Sequence, residues 1–166
     1  MSKPSRPSLF RILGEDKRHV AFVESTLKTL GFGRHAIRPL SVPAGRGDAK
    51  QWVRNQLPEQ VKAMRQRNAS ARGYLIVITD ADNGTVETRV RSLNAALTNG
   101  EQDHVSNDGP VEYWIPKWSI ESWLLCLLAS NCSEEVSLKH EFQNRYGSEE
   151  KRNCESSNRH FSGWNE

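Results

Sequence analysis

The sequence predicts an α/β protein, a layered domain with a central, mostly parallel sheet of about four strands flanked by helices. Three observations lead there. Short apolar segments rich in β-prone residues alternate with stretches of helical period. The strongest of them, residues 74–78, is apolar without a break, as a strand covered on both faces must be. Strand-like and helix-like segments also follow one another in turn, the order that builds strand–helix–strand units and a parallel sheet.

Taken in order, "SLFRILGE" (8–15) reads as a first strand, with Leu9, Phe10, Ile12 and Leu13 ahead of Gly14. A helix follows at about 18–30, because Val20, Val23, Leu27 and Leu30 recur at helical spacing and Gly31 stands where a C-cap glycine belongs. "HAIRPLSV" (35–42) is a short second strand, and "PAGRG" (43–47) is a loop by composition. Asp48, with Gln51 three residues on, resembles a capping box for a basic helix at about 49–67, which Pro58 is expected to interrupt. "GYLIVITDAD" is the third strand. Val86, Val90, Leu93 and Leu97 then mark a helix at about 86–98. "VEYWIP" (111–116) is a fourth strand, ended by Pro116. "SIESWLLCLLAS" (119–130) is a buried helix with Ser119 as its expected N-cap. Beyond residue 131 the chain turns polar, with a helix expected at about 134–146. The organisation expected is a flexible basic tail at 1–7, one α/β domain at 8–130 and a helical or irregular extension at 131–166.

Composition narrows the class. The 166 residues are 36% hydrophobic and 26% charged, enough for one domain with a core. No apolar run approaches the roughly 20 residues a membrane span needs, and the polar, basic N-terminus does not read as a secretory signal. Cys126, Cys132 and Cys154 form no zinc spacing; the odd count suggests reduced thiols in a cytoplasmic protein. The net charge of +3 hides an asymmetry. Residues 34–72 carry nine Lys/Arg against two acids, a balance of +7, whereas 73–121 carry three against eight, a balance of −5. Either this is a solvated helix face beside an acidic stretch, or it is a phosphate-binding surface flanking a metal-binding carboxylate cluster.

In a parallel α/β sheet functional groups gather at the carboxyl ends of the strands. Glu15, Asp80 and Asp82 each follow the last apolar residue of a strand, so neighbouring first and third strands would bring them together. Crowded carboxylates repel and lose solvation, which raises the pKa of at least one, and a divalent cation removes that penalty. Magnesium takes one or two carboxylates together with water and substrate phosphate. The competing reading is turn chemistry, with Asp82 capping the Asn83-Gly84 turn and Asp80 accepting backbone amides.

"LGE" closing the first strand and "VITDADNG" closing the third resemble a TOPRIM domain, in particular the small nucleases of the overcoming-lysogenization-defect (OLD) type. The resemblance spans about residues 8–130. It implies magnesium- or manganese-dependent cleavage of nucleic-acid phosphodiesters, with Glu15, Asp80 and Asp82 as metal ligands and catalytic residues. "WSIESWLL" resembles the Ile-Glu motif of that branch and makes Glu121 a ligand of a second metal; the alternative is a first-turn glutamate favoured by the helix dipole. DNA is favoured over RNA as substrate, and an ATPase partner in defence against phage is implied. Asp82-Asn83-Gly84 is one residue shorter than the DxDxxG of topoisomerases, which speaks against strand passage. Where the OLD-like motif carries a second acid, position 19 is His, so either Asp16 substitutes or His19 touches the site.

Nucleic-acid contacts are expected from Arg46 in the loop after the second strand and from Arg54, Lys62 and Arg65 on the basic helix. Lys117 and Lys139 are candidates for stabilising transition-state charge. Trp114, Trp118 and Trp123 read as packing residues, and Cys126 as a core thiol. Two other function classes remain open: a receiver-like phospho-acceptor module built on Glu15-Asp16 and Asp80, and a non-catalytic TOPRIM-like module that binds nucleic acid or a partner.

Overall fold

Strand and helix alternate along the computed structural model as the periodicity predicts; it describes residues 9–40, 48–68, 72–106, 109–128 and 135–144. The elements are β1 (Leu9–Gly14), α1 (Lys17–Thr29), β2 (Ile37–Pro39), α2 (Ala49–Asn68), β3 (Gly73–Ile78), α3 (Val86–Asn99), β4 (Val111–Trp114) and α4 (Ile120–Leu128). A 3-10 turn, Arg34–Ala36, leads into β2 and leaves that strand three residues long. Arg46, the tail at 1–7 and most of the extension at 131–166 lie outside the described residues. Among the described residues no helix is long and apolar enough to cross a membrane. The chain divides into two units, Met1–Lys117 and Trp118–Glu166.

In the first unit the strands form one parallel sheet in the order β2-β1-β3-β4. The central pair is in register from Leu9↔Gly73 to Gly14↔Ile78. Because successive side chains alternate between faces, this register fixes the layers. Leu13, Leu75, Val77 and Val111 turn to the face that packs on Val53, Leu57, Val61 and Met64 of α2 and Leu93 and Leu97 of α3. Phe10, Ile12, Ile76 and Ile78 belong to the opposite set, and α1 adds the buried Val23 and Leu27. Each such fully buried aliphatic side chain is worth about 1.5–3 kcal/mol relative to exposure.

The caps explain where the helices begin. Asp16 caps α1, accepting from the amides of Arg18 and His19. Asp48 accepts from Lys50 N and Gln51 N, but the reciprocal half of the expected capping box is missing: Gln51 Nε2 donates to Asn55 Oδ1 at 2.6 Å instead. Thr85 caps α3 through Thr88 N. Pro58 sits inside α2 without splitting it. Its ring is accommodated against Gly100, where a Cβ would stand 2.3 Å from Pro58 Cβ.

The second unit contains α4 and a helical stretch at 139–144. Leu138 N donates to Ser122 Oγ at 3.4 Å. Ser119 does not cap α4 through its side chain, since its buried Oγ has no hydrogen-bond partner. Cys126 is disulfide-bonded, a departure from the expectation of reduced thiols.

Candidate metal centre

β2 and β3 flank β1, so the chain leaves β1 toward one side of the sheet and returns on the other. The crevice between the carboxyl ends of β1 and β3 is the topological switch point, where open α/β sheets bind ligands. Register delivers two carboxylates there. Gly14 is level with Ile78, so Glu15 and Thr79 emerge side by side, and Thr79 Oγ1 donates to Glu15 Oε1. Pairing with the last strand continues past β3: Thr79 N donates to Trp114 O at 3.2 Å and Ala81 N to Pro116 O at 2.9 Å. Asp80 lies between these two backbone anchors.

α1 supplies the third group. Gly14 lets the helix approach closely; a Cβ there would meet Val20 Cγ2 at 3.1 Å and both His19 Cβ and Ile78 Cγ2 at 3.2 Å. His19, in the first turn, thereby reaches over the strand ends. Its Nε2 lies 2.9 Å from Asp80 Oδ1 and its Nδ1 2.9 Å from Asp16 Oδ1. Glu15, His19 and Asp80 are 8%, 2% and 9% exposed, and one ligand atom from each lies within 4.8 Å of the others.

Burial raises the Glu15 carboxyl above the usual range, against the opposing influence of the Thr79 hydrogen bond and the positive charges of His19 and Lys50. Burial alone would lower the His19 pKa, but hydrogen bonds and charge from Asp16 and Asp80 outweigh it and push it up to about 10. Asp16 moves the other way: burial would raise it, while its hydrogen bond and charge contact with His19 hold it at about 2. At neutral pH the imidazole is therefore a cation donating from both ring nitrogens.

The donor set fits a divalent ion. Metal–ligand bonds of about 2.1 Å put cis donors about 3 Å apart and trans donors about 4.2 Å apart. The 2.9 Å from Nε2 to Oδ1 is already a cis separation. The remaining atoms are within the reach of a small side-chain rotation, given the 4.8 Å limit. Glu15, His19 and Asp80 can thus hold a metal once His19 gives up its proton.

Asp82 is placed differently from Asp80. Gly84 N closes a turn onto Ala81 O at 3.1 Å, and Asp82 occupies that turn with φ 52°, a left-handed conformation Asp tolerates better than most residues. Its Oδ2 faces Lys50 Nζ and lies 3.5 Å from Arg89 Nη2, contacts that are ionic rather than directed hydrogen bonds. Arg89 Nε also donates to Asp80 O at 2.9 Å. The structure thus brings Glu15 and Asp80 together, adds His19, and gives Asp82 to two cations that sequence reasoning had not singled out. That His19 touches the site was one of the two alternatives the sequence offered at that position; for Lys50 and Arg89 the signal was their place in the first turns of helices that start at the same sheet edge.

Three of the other expected site residues, Arg54, Lys62 and Arg65, are spread along α2. Arg54 pairs with Gln51 Oε1 at 2.7 Å and Asp48 Oδ2 at 3.8 Å, and lines a cleft of about 490 Å³ between α2 and α3. Lys62 is exposed. Arg65 Nη2 donates to the carbonyls of Asp103 and His104 at 2.9 and 3.2 Å. Glu121 lies buried in the first turn of α4, in the second unit. Trp114 packs edge-on to Phe22, as a core aromatic does. Compared with known proteins, the chain matches no family model, no curated protein and no solved structure.

Proposed function

We propose that the chain is a divalent-metal-dependent nuclease that cleaves nucleic-acid phosphodiester bonds, DNA in preference to RNA, at the Glu15–His19–Asp80 centre. One observation carries the reading: buried carboxylates from two adjacent parallel strands meet at the switch point of the sheet, within 4.8 Å of an imidazole. A magnesium or manganese ion held there would supply Lewis-acid stabilisation of the oxygens that attack and leave. The nitrogen donor favours manganese over magnesium, which prefers oxygen. Within the chain, Asp16 fixes the orientation of His19, and Thr79 fixes that of Glu15. Glu15, its carboxyl pKa raised by burial, is the group suited to accept a proton from an attacking water. An ATPase partner and a role in defence against phage rest on the TOPRIM resemblance alone.

A second reading has its own support. Asp80 is paired with His19, and Asp82 with Lys50 and Arg89, so the acids already have internal counter-charges, as a non-catalytic binding module would need. For the receiver-like alternative the acid pair is broken up, because Asp16 caps α1 and binds His19.

Incubation of supercoiled plasmid with the purified protein decides between them. The nuclease nicks in magnesium or manganese, does not nick in chelator, and loses activity in Asp80→Asn. Wild-type protein that neither nicks nor gains melting temperature with either metal would leave only the binding module.

A further inference from the structure

We propose that Lys50 and Arg89 form the seat of the phosphodiester group beside the metal centre, and that Asp82 holds this seat as an internal stand-in for the phosphate. The inference rests on the nuclease reading for the identity of the ligand.

Placement comes first. Lys50 stands in the first turn of α2 and Arg89 in the first turn of α3. A cation at a helix N-terminus opposes the macrodipole, which favours anions there. Two such placements at one sheet edge are unfavourable unless an anion sits between them. Asp82 is that anion: its Oδ2 is reached by Lys50 from one helix and by Arg89 from the other.

Reach comes next. Arg89 is tied to the centre through Nε, which donates to the backbone oxygen of Asp80. Its side chain is only 12% exposed, so its position is fixed, with Nη2 turned toward Asp82. Lys50 is near enough to Glu15 for its charge to act on that carboxyl. Both cations therefore border the carboxylates that would hold the metal. An Arg held by its Nε and offering Nη suits a phosphate oxygen, and Lys supplies a point charge.

Charge closes the argument. Without metal, Glu15, Asp80 and Asp82 place three carboxylates beside the two cations Lys50 and Arg89. A divalent ion held by Glu15 and Asp80 would add two positive charges to this edge, which then accepts a phosphodiester monoanion better than the metal-free edge does. Asp82 competes with that monoanion for the same two cations. It is 41% exposed and sits on a turn, so it can swing into water when displaced.

The test measures binding without cleavage. A fluorescent single-stranded DNA dodecamer is titrated in calcium against wild type, Lys50→Met, Lys50→Arg, Arg89→Met and Asp82→Asn, each checked for melting temperature. Lys50→Met and Arg89→Met should each weaken binding roughly tenfold, the loss of one charge-assisted contact. Lys50→Arg should restore most of the affinity. Asp82→Asn should tighten binding several-fold, because the competitor loses its charge. Weaker or unchanged binding by a folded Asp82→Asn overturns the proposal, as does a folded Lys50→Met with wild-type affinity. The nuclease reading fails separately: these binding shifts without nicking in magnesium or manganese keep the phosphate seat and remove the catalysis, whereas nicking with no binding shifts does the reverse.

Discussion

Between two carboxylates, the His19 imidazole should make stability depend on pH, and with it the affinity for any metal held at the centre. Its folded pKa of about 10 lies above the ordinary 6.5, so its stabilisation is complete below 6.5 and is lost as pH rises through 10. Metal-free protein should therefore melt at progressively lower temperature between about pH 7 and 10, and His19→Gln should flatten that trend. Metal affinity should run the opposite way. A metal that takes Nε2 displaces one proton, so manganese affinity should rise by up to about tenfold per pH unit over the same interval. Calorimetric titration at three pH values checks it; an affinity that does not change would remove His19 from the ligand set. Asp80→Asn tests the neighbouring group. Asn keeps the shape but leaves His19 with one anionic partner instead of two, while relieving repulsion from Glu15. We expect a loss of about 1–3 kcal/mol in metal-free stability, no cleavage, and no rise in melting temperature with metal. A variant that melts lower yet still nicks would return Asp80 to structural duty.

At the scale of elements, Gly100 lets two helices meet at a distance that a side chain would forbid, and Gly14 leaves only a tight fit for one. Gly100→Val would put a Cβ 2.3 Å from Pro58 Cβ and 2.6 Å from its Cγ, both on a rigid ring. It should destabilise the α2–α3 packing by about 1–3 kcal/mol, read from denaturant unfolding; unchanged stability would mean that the two helices do not meet there. What the sequence made legible follows the same physics. Helical periodicity placed α1 and α3, the cap at Asp48 placed α2, and the unbroken apolar run 74–78 placed β3, each to within a residue or two. Glu15 and Asp80 could also be put at the carboxyl edge, since both follow apolar runs. Long-range geometry stayed hidden. The pairing of Asp82 with Lys50 and Arg89 depends on two helix starts converging, and no local pattern encodes that. Pro58 was expected to interrupt α2, but the helix runs through it; separately, the absence of a Cβ at Gly100, 42 residues on, leaves room for its ring between the helices. Ser119 had the residue type of a cap without the geometry.

The whole molecule segregates charge, and α2 carries the division outward from the candidate centre. Lys50 begins the helix at the sheet edge; Lys62, twelve residues on, lies about 18 Å along the axis at 1.5 Å per residue. A nucleic acid seated at Lys50 and Arg89 would have to run along α2 for several nucleotides to meet Lys62 and Arg65. Neutralising Arg54, Lys62 and Arg65 together should therefore weaken binding of a dodecamer and reduce its salt dependence, because each lost phosphate contact retains about 0.7–0.9 counterions. The three should contribute unequally. Arg54 is partly satisfied by Asp48 and Gln51, and Arg65 by two loop carbonyls, whereas Lys62 is exposed. The slope of log K against log salt should flatten by about one to three, with Lys62→Gln alone giving the largest single share. A dinucleotide, whose single phosphodiester cannot sit at the seat and at Lys62 at once, should show no difference between wild type and Lys62→Gln. Arg65→Gln needs a melting control, because losing its bonds to Asp103 and His104 loosens the loop as well as removing a charge. If the triple variant keeps the wild-type slope on the dodecamer, α2 is a solvated face, and the +7 balance of residues 34–72 serves solubility rather than binding.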